Sequence, residues 1–203
     1  QEKDAAELSQ LGYAPIRVVA CNLYPFGDAA AKTPPLSNDE LLEMIDIGGP
    51  TMVRASAKNH QHVLIATNPD RYPALLNALE QAETPAAVEM DLRQSLALEA
   101  FEHTAAYDVA IAQELHRRTT GDPATFSSME EQRDRLPQSI LSASHQVGTL
   151  RYGENGPQAA ALYVSHDAPE GHSTLVTAQV EGGKAMSYNN YSDADATLRL
   201  CRS

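Results

Sequence analysis

Cysteine is scarce in this chain. Cys21 and Cys201 are the two present, at opposite ends of the sequence. Two thiols are too few for a disulfide scaffold, and such sparing use suits a reducing compartment. Positive charge is also in short supply, with 15 Lys and Arg against 27 Asp and Glu and a formal charge of −12. That balance argues against non-specific binding to nucleic acid or to an anionic membrane, though a local phosphate site stays open. No apolar run approaches the length of a membrane span, and no signal peptide is recognisable. Neither an internal repeat nor a Walker-type or dinucleotide glycine fingerprint is present. An initiating methionine is missing as well. The chain begins at Gln1 inside a helical pattern and stops at Ser203 inside another, so the expectation is an internal piece of a longer protein.

What is present is a globular sequence. Its 203 residues are 42% hydrophobic, enough for one large domain or for one domain and part of a second. Residues 2–11 read as a charged helix with Ala5, Leu8 and Leu11 on one face and Gly12 as its C-cap. Ile16–Leu23 is a short, nearly continuous apolar run, expected as a buried parallel strand. It leads into Asn22-Leu23-Tyr24-Pro25-Phe26, where the carboxyl end of a strand would place a site. Residues 28–35 read as loop. Ser37 and Glu40 fit a capping box, opening a helix that runs through Ile45 and delivers Asp46 at its end. Val63–Ala66 is a second buried strand, 68–70 a turn, and Tyr72–Gln81 a helix. This succession is the grammar of an α/β domain.

From Pro85 to Thr120 runs a long amphipathic helix, with a break allowed, and Gly121-Asp122-Pro123 ends it. Its Phe101-Glu102-His103-Thr104-Ala105-Ala106-Tyr107-Asp108 segment is polar but reads as helix contact rather than chemistry. Residues 122–146 read as a linker. A second unit follows: a polar loop at 150–158, strands at Ala159–Ser165 and Leu175–Val180, turns at 166–172 and 181–184, and a helix from Asp193 capped by Ser192.

The stretch from Ile45 to His60 organises the rest. Gly48 and Gly49 let the backbone approach a ligand closely. Pro50 fits a first helical position, and the N–H groups of that first turn suit an anion or a carbonyl oxygen. One segment therefore offers an anion seat, an acid (Asp46) and a base or cation (Lys58).

Six segments, in order, resemble one family. They are Cys21-Asn22-Leu23-Tyr24-Pro25-Phe26, Ile45-Asp46-Ile47-Gly48-Gly49, Ala57-Lys58-Asn59-His60, the 101–108 segment, Leu150-Arg151-Tyr152-Gly153-Glu154-Asn155, and Ser187-Tyr188-Asn189-Asn190. Their order and spacing are similar to those of the bifunctional purine-biosynthesis enzymes that are both AICAR transformylase and IMP cyclohydrolase. The resemblance implies the C-terminal part of a methylglyoxal-synthase-like α/β cyclohydrolase domain at residues 1–121. After the linker, it implies the start of a cytidine-deaminase-like transformylase domain at 147–203. It also implies a cytoplasmic homodimer, purine nucleotide substrates and 10-formyltetrahydrofolate as co-substrate, with no bound cofactor or metal.

Residue by residue, the resemblance makes Tyr24, Asp46 and Lys58 the catalytic candidates, Lys58 moving the proton. Cys21, Asn22, Ile47 and Gly48 would bind the cyclohydrolase nucleotide, and Arg151 and Tyr152 the transformylase nucleotide. Ring closure needs an amide nitrogen, a poor nucleophile, to attack a formyl carbon. Positioning can contribute roughly 7–11 kcal/mol to such a step, and a lysine can shuttle the proton where burial lowers its pKa.

Three departures from the family stand out. Its opening phosphate-binding loop and an arginine loop do not occur in this sequence. Gly156-Pro157 replaces a Pro-His pair. The transformylase Lys-His pair does not occur either, and His145, His166 and His172 do not replace it in context. A non-catalytic nucleotide-binding module of the same fold is the alternative reading. A metal-dependent hydrolase would rest on His60 and His62, whose spacing is not that of helical ligands and which no cysteine pair accompanies.

Overall fold

The computed structural model describes residues 7–121, 128, 136, 139–165 and 174–202. The chain divides into two units, residues 1–127 and 128–203, each described here by itself.

In the first unit, residues 7–10 are helical and end at Gly12, whose φ of 75° is the left-handed value that a glycine C-cap supplies. The Tyr13 N–H closes the cap on the Leu8 carbonyl at 3.0 Å. Leu8 and Leu11 are exposed, and the expected Ala5 lies outside the described residues.

Strand β1 (Val18–Ala20) pairs in parallel with β2 (Leu64–Ala66), Val19 opposite Ile65. β2 is buried throughout. β1 is not: Ile16 and Val18 are exposed, which corrects the expectation of a buried strand over 16–23. Among the described residues β2 is the sole strand beside it, so one edge and part of its surface are uncovered.

Between the strands lie three helices. The first is α1 (Phe26–Ala30), where the sequence suggested loop. The second is α2 (Asn38–Leu42), with the expected capping box: the Glu40 N–H donates to Ser37 Oγ, and the Ser37 N–H donates to Glu40 Oε2. It stops at Leu42, earlier than read, and a turn leads to Asp46. The third is α3 (Gly48–Lys58). After β2 come a short turn capped by Asn68, helix α4 (Tyr72–Gln81) with the bounds expected, and the long helix α5 (Met90–Thr120), separated at Val88-Glu89 from a single helical turn at Pro85–Ala87.

The sheet is covered on two sides. Val53 and Ala57 of α3 and Ala97 and Ala100 of α5 pack with Leu23 and Ile65. Leu64 and Ala66 face Leu75 of α4, Val88 and Leu96. A third cluster (Phe26, Ala29, Leu41) packs α1 and α2 against Tyr107, Ala110 and Ile111 of α5. Arg93 is 1% exposed, and its guanidinium donates to the carbonyls of Val88, His60 and Pro85.

The second unit has β3 (Ser144–Thr149) antiparallel to β4 (Ala161–Ser165), with an irregularity between Gln146 and Gly148. β3 starts inside the segment read as linker, whose greater part lies outside the described residues, as does the turn read at 166–172. The strand expected at Leu175–Val180 is not formed. Thr174 and Thr177 exchange side-chain hydrogen bonds with each other's N–H groups and hold a turn there, the local competition by which threonines divert backbone from a ladder. Helix α6 (Tyr188–Arg202) begins before the expected start near Asp193. Its cap is Ser187, fully buried, in reciprocal hydrogen bonds with Asn190, and not Ser192.

Candidate active site

The loops after β1 and before α3 meet in the first unit. Asp46 lies one residue before the α3 N-cap position, and its Oδ1 accepts the Gly49 N–H at 2.8 Å. The carboxylate thus satisfies one of the orphan donors of the first turn and complements its positive end. Gly49 is buried. A Cβ there would overlap the Asp46 carboxylate and stand 2.9 Å from Leu23 Cδ2. Glycine is needed here for close approach, and the same contact shows the 22–24 loop lying against α3. Pro50 is the third residue of α3, not the first, and has no N–H to offer. The anion seat expected of this turn is filled by the chain's own carboxylate.

Asn22 sits where β1 ends. Its Oδ1 accepts the Leu23 N–H at 2.8 Å and contacts His103 Nε2 of α5 at 3.1 Å. Because Oδ1 only accepts, the His103 proton sits on Nε2. One turn further along α5, the Tyr107 hydroxyl accepts the Asp46 backbone N–H at 2.8 Å and donates to the Met44 carbonyl at 3.1 Å. Its ring packs edge-on against Phe26, 6.2 Å between centroids. Burial pushes the Tyr107 phenol up, with the Asp46 N–H bond working against that and the charges of Asp46 and Asp108 adding to it. The group therefore stays a protonated donor at neutral pH. Cys21, half-buried, is likewise pushed up by burial and, less, by the Asp46 charge. It remains a thiol and not a thiolate nucleophile.

Of the residues expected from sequence, Cys21, Asn22, Asp46 and Gly48 share this region. Tyr24 and Ile47 flank it, 56% and 74% exposed. Lys58 is not brought to Asp46. It ends α3, and ten residues of helix separate it from Gly48, roughly 15 Å at 1.5 Å per residue. It is also exposed. The 101–108 segment, read as helix contact, supplies His103 and Tyr107. Their spacing of four on one helical face was the available signal. His60 contacts the Ala57 carbonyl through Nδ1 at 3.1 Å, and among the described residues no group of three or more His, Cys, Asp or Glu could hold a metal ion.

In the second unit, Arg151 and Tyr152 form a pair of their own. The guanidinium stacks over the Tyr152 ring at 4.9 Å and donates to its hydroxyl at 3.2 Å. Hydrogen bonding by Ser187, then by Arg151, and the Arg151 charge hold the Tyr152 phenol below its ordinary value. The pair is framed by backbone bonds from Arg151 N–H to the Met186 carbonyl and from Tyr188 N–H to the Tyr152 carbonyl. Gly156-Pro157 lies in an exposed turn that Gln158 closes, its Oε1 accepting the Asn155 N–H at 3.0 Å.

Each unit thus holds one cluster of interacting polar side chains. The family model described as AICARFT/IMPCHase bienzyme matches residues 56–203. The bifunctional purine biosynthesis protein PurH of Myxococcus xanthus (strain DK1622) is 43% identical over 199 residues. That match takes in 98% of this chain and 35% of the relative, so the chain spans about a third of the relative's length. The crystal structure of ForH matches over 57% of this chain and 58% of that one, at 34% identity and a TM-score of 0.46. The chain belongs to the AICARFT/IMPCHase bienzyme family.

Proposed function

We propose that this chain carries part of the cyclohydrolase site of an enzyme for the last two steps of purine nucleotide synthesis. In the first step a formyl group passes from 10-formyltetrahydrofolate to the amine of the imidazole carboxamide ribotide (AICAR). In the second the formylated product (FAICAR) closes to inosine monophosphate with loss of water. Residues 1–121 belong in this reading to a methylglyoxal-synthase-like domain, and 147–203 begin a cytidine-deaminase-like transformylase domain. The active form is a cytoplasmic homodimer.

The observation that carries the reading is the convergence of Asn22, Asp46, His103 and Tyr107 at the carboxyl end of β1, where open α/β sheets bind ligands. A fixed amide and a fixed carboxylate suit a carboxamide, which has both a donor and an acceptor to orient. In the chemical step the carboxamide nitrogen bonds to the formyl carbon and gives up one proton, the formyl oxygen passes through an oxyanion to a hydroxyl, and that hydroxyl leaves as water with the proton of the formamide nitrogen as the ring C=N forms. Asp46 accepts from the attacking amide, and Tyr24 donates to the oxyanion. Lys58 is assigned the proton by resemblance alone. Ile47 and Gly48 contact the nucleotide beside Asp46. Cys21 and Asn22 bind the nucleotide at the strand end, and Arg151 and Tyr152 hold the AICAR of the other reaction.

The test is cyclisation of formylated ribotide to inosine monophosphate by the complete polypeptide its gene encodes, alongside Asp46→Ala and Lys58→Ala. Loss of cyclisation by roughly tenfold or more in both, with formyl transfer kept, is expected. Unchanged cyclisation in Lys58→Ala removes the proton role from that residue. Tight binding of inosine monophosphate with no turnover in the unmodified protein would instead support the regulatory module.

A further inference from the structure

The residues above leave open how Asn22 and Asp46 are held in place, since both sit on loops. Each loop is tied to the same face of α5. His103 and Tyr107 are four apart, so their side chains lie one above the other along the helix. We propose that these two are the positioning residues of the site: His103 holds the Asn22 amide in the orientation that the Leu23 N–H sets, and Tyr107 fixes the turn that carries Asp46. This rests on the cyclohydrolase reading only in naming the reaction.

The argument for His103 is one of hydrogen-bond capacity. Asn22 Oδ1 already accepts from Leu23 N–H and takes the His103 proton as a second bond. The Leu23 N–H is a fixed donor, so the amide cannot flip without placing its NH2 against it, and the His103 bond adds to that hold. The NH2 group is thereby turned toward the ligand side, where it makes no hydrogen bond among the described residues. Asn22 offers donors, and its partner on the ligand is an acceptor such as a carbonyl or phosphate oxygen.

The argument for Tyr107 is that one hydroxyl holds two backbone points of the same turn, the Asp46 N–H and the Met44 carbonyl. Asp46 then reaches forward to Gly49. Tyr107 sets where the residue begins, and the Gly49 N–H sets where its carboxylate ends. The raised phenol stays protonated, so it can donate and accept together. Its ring packing on Phe26 is separate from this hydroxyl role, and Tyr107→Phe removes one while keeping the other.

The experiment uses the complete polypeptide with Tyr107→Phe, His103→Leu and His103→Gln, reading kcat and KM for cyclisation and amide hydrogen exchange at Asp46 and Gly49. For Tyr107→Phe, kcat falls roughly tenfold with KM within about twofold, the size expected for one hydrogen bond acting on orientation, and exchange at Asp46 and Gly49 accelerates. For His103→Leu, KM rises, and His103→Gln, whose amide can donate from the same place, restores it. Unchanged exchange and kcat in Tyr107→Phe, or a His103→Leu enzyme with the unmodified KM, overturns the proposal while leaving the cyclohydrolase reading intact. Should the unmodified protein not cyclise at all, that reading fails, and the exchange rates alone still decide whether Tyr107 holds the turn.

Discussion

Asp46 has two jobs that substitution can separate. Its oxygen caps α3 through Gly49 N–H, and its charge faces the region where Asn22 and Cys21 lie. Asparagine keeps the acceptor and removes the charge; alanine removes both. Asp46→Ala should cost about 1 kcal/mol of stability in urea unfolding, the ordinary worth of a helix-start cap, and Asp46→Asn much less, while both lose cyclisation. Gly49→Ala tests the same contact from the other side. Alanine gains up to about 1 kcal/mol of helix propensity. Its Cβ overlaps the carboxylate and crowds Leu23, which loses the cap and adds roughly 1–3 kcal/mol of crowding. The clash wins, so the midpoint of unfolding should fall. Asp46 and the glycines were legible as a group in the sequence. The filled anion seat was not, because nothing in the residue types says that the carboxylate would turn back on its own helix. Lys58 looked close to Asp46 for a similar reason: a separation of twelve residues reads as neighbourhood until a straight helix lies between the two.

At the scale of elements, α5 does most of the joining. Glu114 accepts from Arg117 and Arg118, and Arg118 reaches over to the Leu36 carbonyl and Asn38 Oδ1 at the start of α2. The Arg117 hydrogen bond, then that of Arg118, holds the Glu114 carboxyl below its ordinary value against the opposing effect of burial. A group whose folded pKa is lowered contributes stability above its unfolded value and loses it as pH falls through the folded one. Glu114→Gln should therefore lower the urea midpoint at pH 7, and the gap should close as both proteins are taken into acid below the ordinary carboxylate range. Elements with their own local signal were legible: the Ser37 and Glu40 box, α4, and the apolar spacing of α5 with its stop at Gly121. Those decided by competition were not. Thr174 and Thr177 made a turn of an apolar run, and Ser187 took the cap that Ser192 also fits, because Asn190 lies three residues beyond it. Residues 28–30, read as the start of a loop, belong to the helix Phe26–Ala30. Its Phe26 and Ala29 are buried against α2 and α5, and that packing is long-range information.

At the scale of the whole molecule, the first unit is stitched by a charge that makes no ion pair with an acid among the described residues. Arg93 lies buried on α5 and donates to carbonyls of the loop after α3 and of the turn before α5. Arg93→Met fills similar space but leaves three carbonyls, that of Val88 buried and those of His60 and Pro85 partly so, short of a donor, at about 3 kcal/mol in urea unfolding. Arg93→Lys should recover little of it, since an ammonium cannot fork to three acceptors. No helix among the described residues is long and apolar enough to cross a membrane. The α/β character was legible from the two apolar strands and the helices between them, whereas the exposed face of β1 was not, because strand burial depends on neighbours that no local pattern names. The carboxylate lodged on the first turn of α3 bears on competition among ligands. A helix start that already holds its own anion discounts free phosphate and sulfate there, and it favours a neutral group that can share the Asp46 oxygens rather than displace them. A free inorganic anion meets the charge of that carboxylate before it meets the helix start.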